Sequence, residues 1–268
     1  MKKTYLFIII TITVLCVIIG SIVHVTGFLV RMGKEADMFS FGKNAKKVTE
    51  TLSEGDFSEL DIDLDLGNVV IKSGAGSVEW NGAEELKPEV STESGKLKIR
   101  QKDGKFLKGA ALTNTLTVSV PSALKKLNIE SDMGNLDVAG IGSDKTNLKV
   151  SAGNIVIKDS DLGDLEADAN AGDIKFDSLS AEKADLDSNA GNIAGSVSGS
   201  FKSLKADTDV GNIELKLECA RSELSLDLKT DLGNVTVNGE KTGSGKSGSG
   251  ASSLKARTDL GNITISTN

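Results

Sequence analysis

Apolar and acidic residues alternate strictly from Leu60 to Leu66, with Leu60, Ile62, Leu64 and Leu66 separated by Asp61, Asp63 and Asp65. A period of two is the pattern of a half-buried β-strand. It returns along the chain around a Gly-Asn corner. The fullest copies are Thr208-Asp209-Val210-Gly211-Asn212-Ile213, Thr230-Asp231-Leu232-Gly233-Asn234-Val235 and Thr258-Asp259-Leu260-Gly261-Asn262-Ile263. Looser copies centre on Gly67-Asn68, Gly134-Asn135, Gly153-Asn154, Gly172-Asp173 and Gly191-Asn192. From Gly134 onward the corner glycines are 19, 19, 19, 20, 22 and 28 residues apart. Positions seven, five, three and one before the glycine are apolar or small (Leu204, Ala206, Thr208, Val210), as are positions two and four after it (Ile213, Leu215). Two short strands thus face one interior across a corner where a left-handed φ or a close neighbouring backbone favours glycine.

A unit of this length cannot bury its apolar face alone, and stacking its copies makes one continuous core. The chain is therefore predicted to be all-β, a β-solenoid (β-helix-like) of ~19–20-residue coils spaced by ~4.8 Å. Gly95-Lys96-Leu97-Lys98-Ile99 and Asn114-Thr115-Leu116-Thr117-Val118 read as two further, degenerate coils. The residue after each corner glycine is Asn68, Asn135, Asn154, Asp173, Asn192, Asn212, Asn234 or Asn262, a column whose amides can bond from coil to coil. Asp173 is its weak rung. A β-sandwich of irregular hairpins would explain the alternation but not the period.

Four segments depart from the repeat. Tyr5 to Val30 is an apolar run long enough to cross a ~30 Å hydrocarbon core. Residues 1–30 are accordingly expected to form one transmembrane helix, uncleaved, with the N-terminus cytoplasmic and the bulk extracytoplasmic at the cell membrane. Residues 31–59 read as a stalk, partly helical around Ala45–Leu52, ahead of a repeat domain over 60–268. The stretch holding Trp80, Asn81-Gly82 and Pro88 reads as a hairpin or loop excursion with Trp80 as a cap or anchor. Residues 239–253, almost all Gly, Ser, Lys and Thr, read as a flexible insertion in the last coil.

Composition narrows the function more than the fold. Aromatic residues are 4% of the chain, which suits thin layers of aliphatic side chains. Residues 60–268 hold 24 Lys/Arg against 32 Asp/Glu, and an acidic module without a basic stripe does not suit nucleic acid. Cys16 and Cys219 lie too far apart in pattern to suggest a staple. The one histidine, His24, falls in the apolar run, so Ser-His-Asp, Cys-His and His-ligated zinc chemistry have no base or ligand in the repeat. Phosphate-cradling glycine motifs are absent. Paired carboxylates such as Asp207 and Asp209 leave carbohydrate cleavage as a remaining enzymatic reading, but the repeat is poor in aromatic platforms. The expectation is no enzyme, no catalytic residue and no cofactor. Two residues before the glycines, Asp209, Asp231 and Asp259 form a weak calcium candidate. Ser151, Asn170 and Asn189 share that column, so bonding to the local turn backbone accounts for it better.

One wider pattern remains. Leu60–Ile71, then Thr115-Leu116-Thr117-Val118-Ser119-Val120-Pro121 and Leu127-Asn128-Ile129, then serial Gly-Asn-Ile corners follow the N-terminal apolar run. Over roughly residues 50–268 this resembles the putative adhesin family of β-strand-repeat proteins, a domain of unknown function with LiaG-like membrane-anchored members. The resemblance implies a non-enzymatic interaction module of the bacterial cell envelope, linked to envelope stress, whose partner is an envelope component or a protein. It supplies no catalytic residues. The alternative is a self-associating scaffold whose coils stack end to end through exposed strand edges.

Overall fold

The computed structural model describes residues 46–101, 114–121 and 123–268. This part is all-β, with two three-residue 3-10 turns at Glu84–Leu86 and Arg221–Glu223. Each coil contributes a longer strand, a corner and a shorter strand, for example Ser143–Ala152 and Ile155–Lys158 on either side of Gly153. The longer strands form an 11-stranded sheet and the shorter ones a 12-stranded sheet. Successive coils pair in parallel and in register, so Leu148 stands beside Ala167 and Ile155 beside Ile174. The core between the sheets is built from the alternating residues, including Ile62, Ile129, Leu186, Ile213 and Ile263, all fully buried. The solenoid reading accounts for this arrangement.

The stacking order is not the chain order. Naming each coil by its corner, the sheets run Asn114, Gly67, Gly134, Gly153, Gly172, Gly191, Gly211, Gly261, Gly233. At both ends the coil nearest the chain terminus is tucked inward by one place. Its sequence neighbour is placed outside it. The strand Ser252–Leu260 lies between Ser203–Val210 and Leu224–Leu232, in parallel with both. The strand Glu59–Leu66 likewise lies between Lys96–Arg100 and Leu124–Met133.

Antiparallel strands close both ends. Beyond the Asn114 coil run Ser77–Ala83 and Lys47–Glu54 on one sheet and Glu89–Glu93 on the other. Beyond the Gly233 coil run Glu240–Lys241 and Gly245–Ser247. The segment expected as a flexible insertion is thus partly a cap, because its backbone pairs with strand edges that would otherwise stand open. The stretch around Ala45–Leu52, expected to be partly helical, instead contributes to the strand Lys47–Glu54, for the same reason. Asn81-Gly82 lies within a strand, and Trp80 is fully buried beneath it.

Two expectations about the repeat are corrected. Lys96–Arg100 and Thr115–Val120 are not two coils but the two strands of one, with Asn114 at its corner; Gly95 turns the hairpin from Glu89–Glu93. Nine coils result among the described residues. The residue just before each glycine faces out, not in. Thr208 is 2% exposed but Val210 is 52% exposed. Pairing skips from Thr208↔Thr258 to Val210↔Leu260, and this break places two outward residues in succession.

The membrane expectation is also corrected. Residues 1–30 lie outside the described residues, and among the described residues no helix is long and apolar enough to cross a membrane. Apolar residues there alternate with polar ones at period two and gather into no long apolar run. The transmembrane helix and the cell-membrane localisation built on it are therefore withdrawn.

Candidate functional site

Three surfaces follow from this stack: the corner edge, the outer face of the 11-stranded sheet and the side where coils connect. The corner edge is where the sequence concentrates its identical residues, and its hydrogen bonds run from coil to coil. Asn68 Oδ1 accepts the backbone N–H of Asn135 at 2.9 Å, and Asn135 Oδ1 that of Asn154 at 3.0 Å. The chain of bonds passes through Asp173, Asn192, Asn212 and Asn262 to Asn234. Asn154, Asn192, Asn212, Asn262 and Asn234 also donate a side-chain N–H to the oxygen below. Asp173 cannot donate, but its second oxygen receives Lys175 Nζ at 2.8 Å. The Asn192 backbone N–H, with help from Lys175, holds its carboxyl below the ordinary range.

Glycine is obligatory at these corners because of the coil beneath. A Cβ on Gly153 would stand 2.0 Å from the Gly134 carbonyl oxygen, and one on Gly211 would stand 1.9 Å from that of Gly191. Several of these carbonyls are satisfied from inside: Ser188 donates to Gly172, Thr208 to Gly191, Thr258 to Gly211 and Thr230 to Gly261. Gly134, Gly172, Gly191, Gly233 and Gly261 meet the same obstacle, whereas at Gly67, 3.3 Å from Asn114, it is the φ of +147° that favours glycine. The ladder is engaged in holding coils together, so its chemistry is directed inward along the stack.

The calcium candidates do come onto neighbouring strands, in the order Asp209, Asp259, Asp231. Cations share their row: Lys229 Nζ is 3.2 Å from Asp231 and Arg257 Nε is 3.8 Å from Asp259. Among the described residues, no group of three or more His, Cys, Asp or Glu is arranged to hold a metal ion.

The outer face of the 11-stranded sheet carries ion pairs that sequence reading did not single out. Burial pushes the Asp61 carboxyl upward, but hydrogen bonds from Lys96, Asn128 and Arg100 outweigh it and hold the group far below its usual range. Lys96 Nζ and Arg100 Nη2 both stand 2.9 Å from this carboxylate. Asp168, Asp187 and Asp207 stack in register. Lys205 Nζ bridges Asp185 at 2.9 Å and Asp187 at 3.2 Å. Burial, with repulsion from Asp185, outweighs Lys205 and raises the Asp187 carboxyl to about 6.

The connecting side, away from the glycine corners, is concave. A groove of about 890 Å³ crosses successive coils there. Small residues line it, among them Ala123, Gly142, Ser180, Ala181 and Ser200, together with the buried Phe201. Charged residues line it as well, with Asp144, Asp161, Asp164 and Glu182 set among Lys183 and Lys202. Lys202 pairs with Glu182, and Lys183 Nζ lies 3.6 Å from Asp164. The structure places none of the residues singled out from sequence in this groove. A signal was present: Ala123, Gly142, Asp161, Ser180 and Ser200 follow the coil period, but in connecting segments whose depth no periodicity reports.

Comparison with known proteins returns a family and a fold. The sequence profile of the Toastrack DUF4097 family matches residues 57–200, more than half of the chain. No curated protein matches it. Among solved structures, a putative adhesin from Bacteroides fragilis overlays with a TM-score of 0.52 at 16% identity, covering 83% of this chain and 97% of its own. A putative cell adhesion protein from Clostridium sporogenes gives a TM-score of 0.41 at 14% identity, covering 83% and 100%. A putative lipid binding protein from Parabacteroides distasonis gives 0.38 at 15% identity, covering 84% and 98%. At these identities the likeness concerns the fold alone.

Proposed function

The chain belongs to the Toastrack DUF4097 family, and on that premise we propose that it is a non-enzymatic, adhesin-like binding module that holds an extended glycan in the connecting-side groove. The observation that carries this reading is the groove's repetition. Each coil advances by ~4.8 Å and lines the groove with small and polar residues, a layout suited to a polymer with regularly repeated hydroxyls. Ser180 and Ser200 can donate and accept, Asp161 and Glu182 accept, and Lys183 and Lys202 donate. The names of the Bacteroides and Clostridium proteins agree with adhesion and identify no ligand.

Binding of this kind draws on many weak polar contacts, so affinity should rise with ligand length until the groove is filled. The test is calorimetric titration of the full chain with linear oligosaccharides of graded length. The reading predicts a steady gain with length and a loss of about tenfold on Asp161→Ala, one charged hydrogen bond's worth. Length-independent binding, or binding indifferent to Asp161→Ala and Lys202→Ala together, would sink it. Turnover of the sugars would reinstate the carbohydrate-active alternative.

A further inference from the structure

Just before the corner, where the strand break turns two residues outward, a solvated surface would be expected to be polar. The chain instead places Val210, Leu260 and Leu232 there, on three adjacent strands and in register, 52%, 47% and 64% exposed. Their side chains do no packing in the core. Apolar residues that are contiguous, exposed and unneeded by the fold mark a contact surface. We infer that this seam is a lateral self-association surface, occupied by the same seam of a second copy with the two stacks parallel.

The flanks of the seam select that occupant. On one side stand the carboxylates Asp209, Asp259 and Asp231; on the other stand the exposed amides Asn212, Asn262 and Asn234. Each of these amides commits one side-chain N–H to the rung below and keeps the other. A two-fold axis parallel to the stack sets the carboxylates of one copy opposite the amides of the other. An axis across the stack would set carboxylates against carboxylates. The seam is therefore self-complementary in one orientation, as an isologous contact requires. Lys229 and Arg257 already pair with Asp231 and Asp259 inside each copy. This pairing weakens repulsion between copies and leaves less negative charge to attract a basic partner. Three apolar side chains fall well short of the ~800 Å² per partner of a standard interface. The contact is accordingly weak and reversible, useful where several copies meet one polymer.

The test uses the full chain with Cys16→Ser and Cys219→Ser, and single cysteines at Leu232, Leu66 or Lys216. Under mild oxidation Leu232→Cys should form a disulfide-linked dimer. Leu66→Cys, in the same column near the other end, should do so as well. Lys216→Cys, exposed on the other sheet, should not. In a mixture of the first two, 232–232′ and 66–66′ links should form without 66–232′ links. Adding Leu260→Asp or Val210→Asp, both at exposed positions, should reduce dimer at least tenfold with an unchanged circular dichroism spectrum. No dimer above the Lys216→Cys level would overturn the inference. Predominant 66–232′ links would overturn the parallel arrangement, and cross-linking to a different protein would assign the seam to another partner.

Discussion

The two ends of the stack use the same device with unequal caps. At each, the coil nearest the chain terminus is tucked between two others and a reversed hairpin covers the outer coil. The first end is closed by a packed cap. Trp80 is fully buried and donates its indole N–H to the Ala83 carbonyl at 3.1 Å, and Leu86 of the same cap is buried as well. Gln101 bridges Leu66 and Leu86, and Asn114 Oδ1 receives the Ala83 N–H at 2.9 Å. The far end is closed by Glu240–Lys241 and Gly245–Ser247, all of them exposed. There the closure is backbone pairing and exposed polar contacts: the Ser244 hydroxyl bonded at Thr230, Arg221 donating to the Ser247 hydroxyl at 2.8 Å and Lys246 Nζ 3.8 Å from Asp227. The difference separates two tasks. Ending a stack of strands needs only that the edge be paired, whereas stabilising that end needs buried area. The far end is ended but thinly stabilised.

The largest expected effect breaks the better-built end. Trp80→Ala should cost about 3–5 kcal/mol in urea unfolding, by cavity formation and by leaving the Ala83 carbonyl unpaired. A loss below about 1 kcal/mol would mean that this cap contributes no more than the exposed one. A smaller effect sharpens the tucked arrangement at the far end. Ile263→Ala, in the inserted coil, should cost about 2–4 kcal/mol, and Val235→Ala, in the outer coil, about half of that. A stack built in chain order would reverse the ranking, with the last coil the cheapest to damage. The smallest effect lies between the ends. Asp187 titrates near 6 in the folded chain, above its unfolded value. Its contribution is therefore present below the unfolded pKa and is lost as pH rises through about 6. Asp187→Asn should flatten the decline in melting temperature between about pH 4 and 6. It should leave the order in which the two ends open unchanged.

Much of this fold is legible in the sequence, because stacked coils repeat their own constraints. The Gly-Asn corner is written out each time a carbonyl of the coil below would meet a Cβ, so Gly153 and Gly211 can be read without coordinates. The buried columns are legible for the same reason. The order of the last three coils is not. Thr208–Ile213, Thr230–Val235 and Thr258–Ile263 are nearly the same words, and a rung that fits every neighbour cannot say which neighbour it has. Val210 reads as a core residue because alternation carries no mark of the break that turns it outward. Asn114 and Gly95 carry the spacing of two corners, but only one of them joins the two sheets. The groove was hidden for another reason: it is built by what the connecting residues lack, and small residues in loops have no period in hydrophobicity.

The chain's last coil is an interior coil of the stack. Amide hydrogen exchange followed residue by residue tests it most directly. Chain ends normally fray at almost no free-energy cost. Here Ile263, Thr264 and Ile265, three to five residues from Asn268, should exchange more slowly than Val235, Thr236 and Val237, because their strand lies between two coils whereas 235–237 is covered on its outer side only by the exposed two-residue strand Glu240–Lys241. Faster exchange at 263–265 than at 235–237 would place the last coil at the edge and contradict the tucked order.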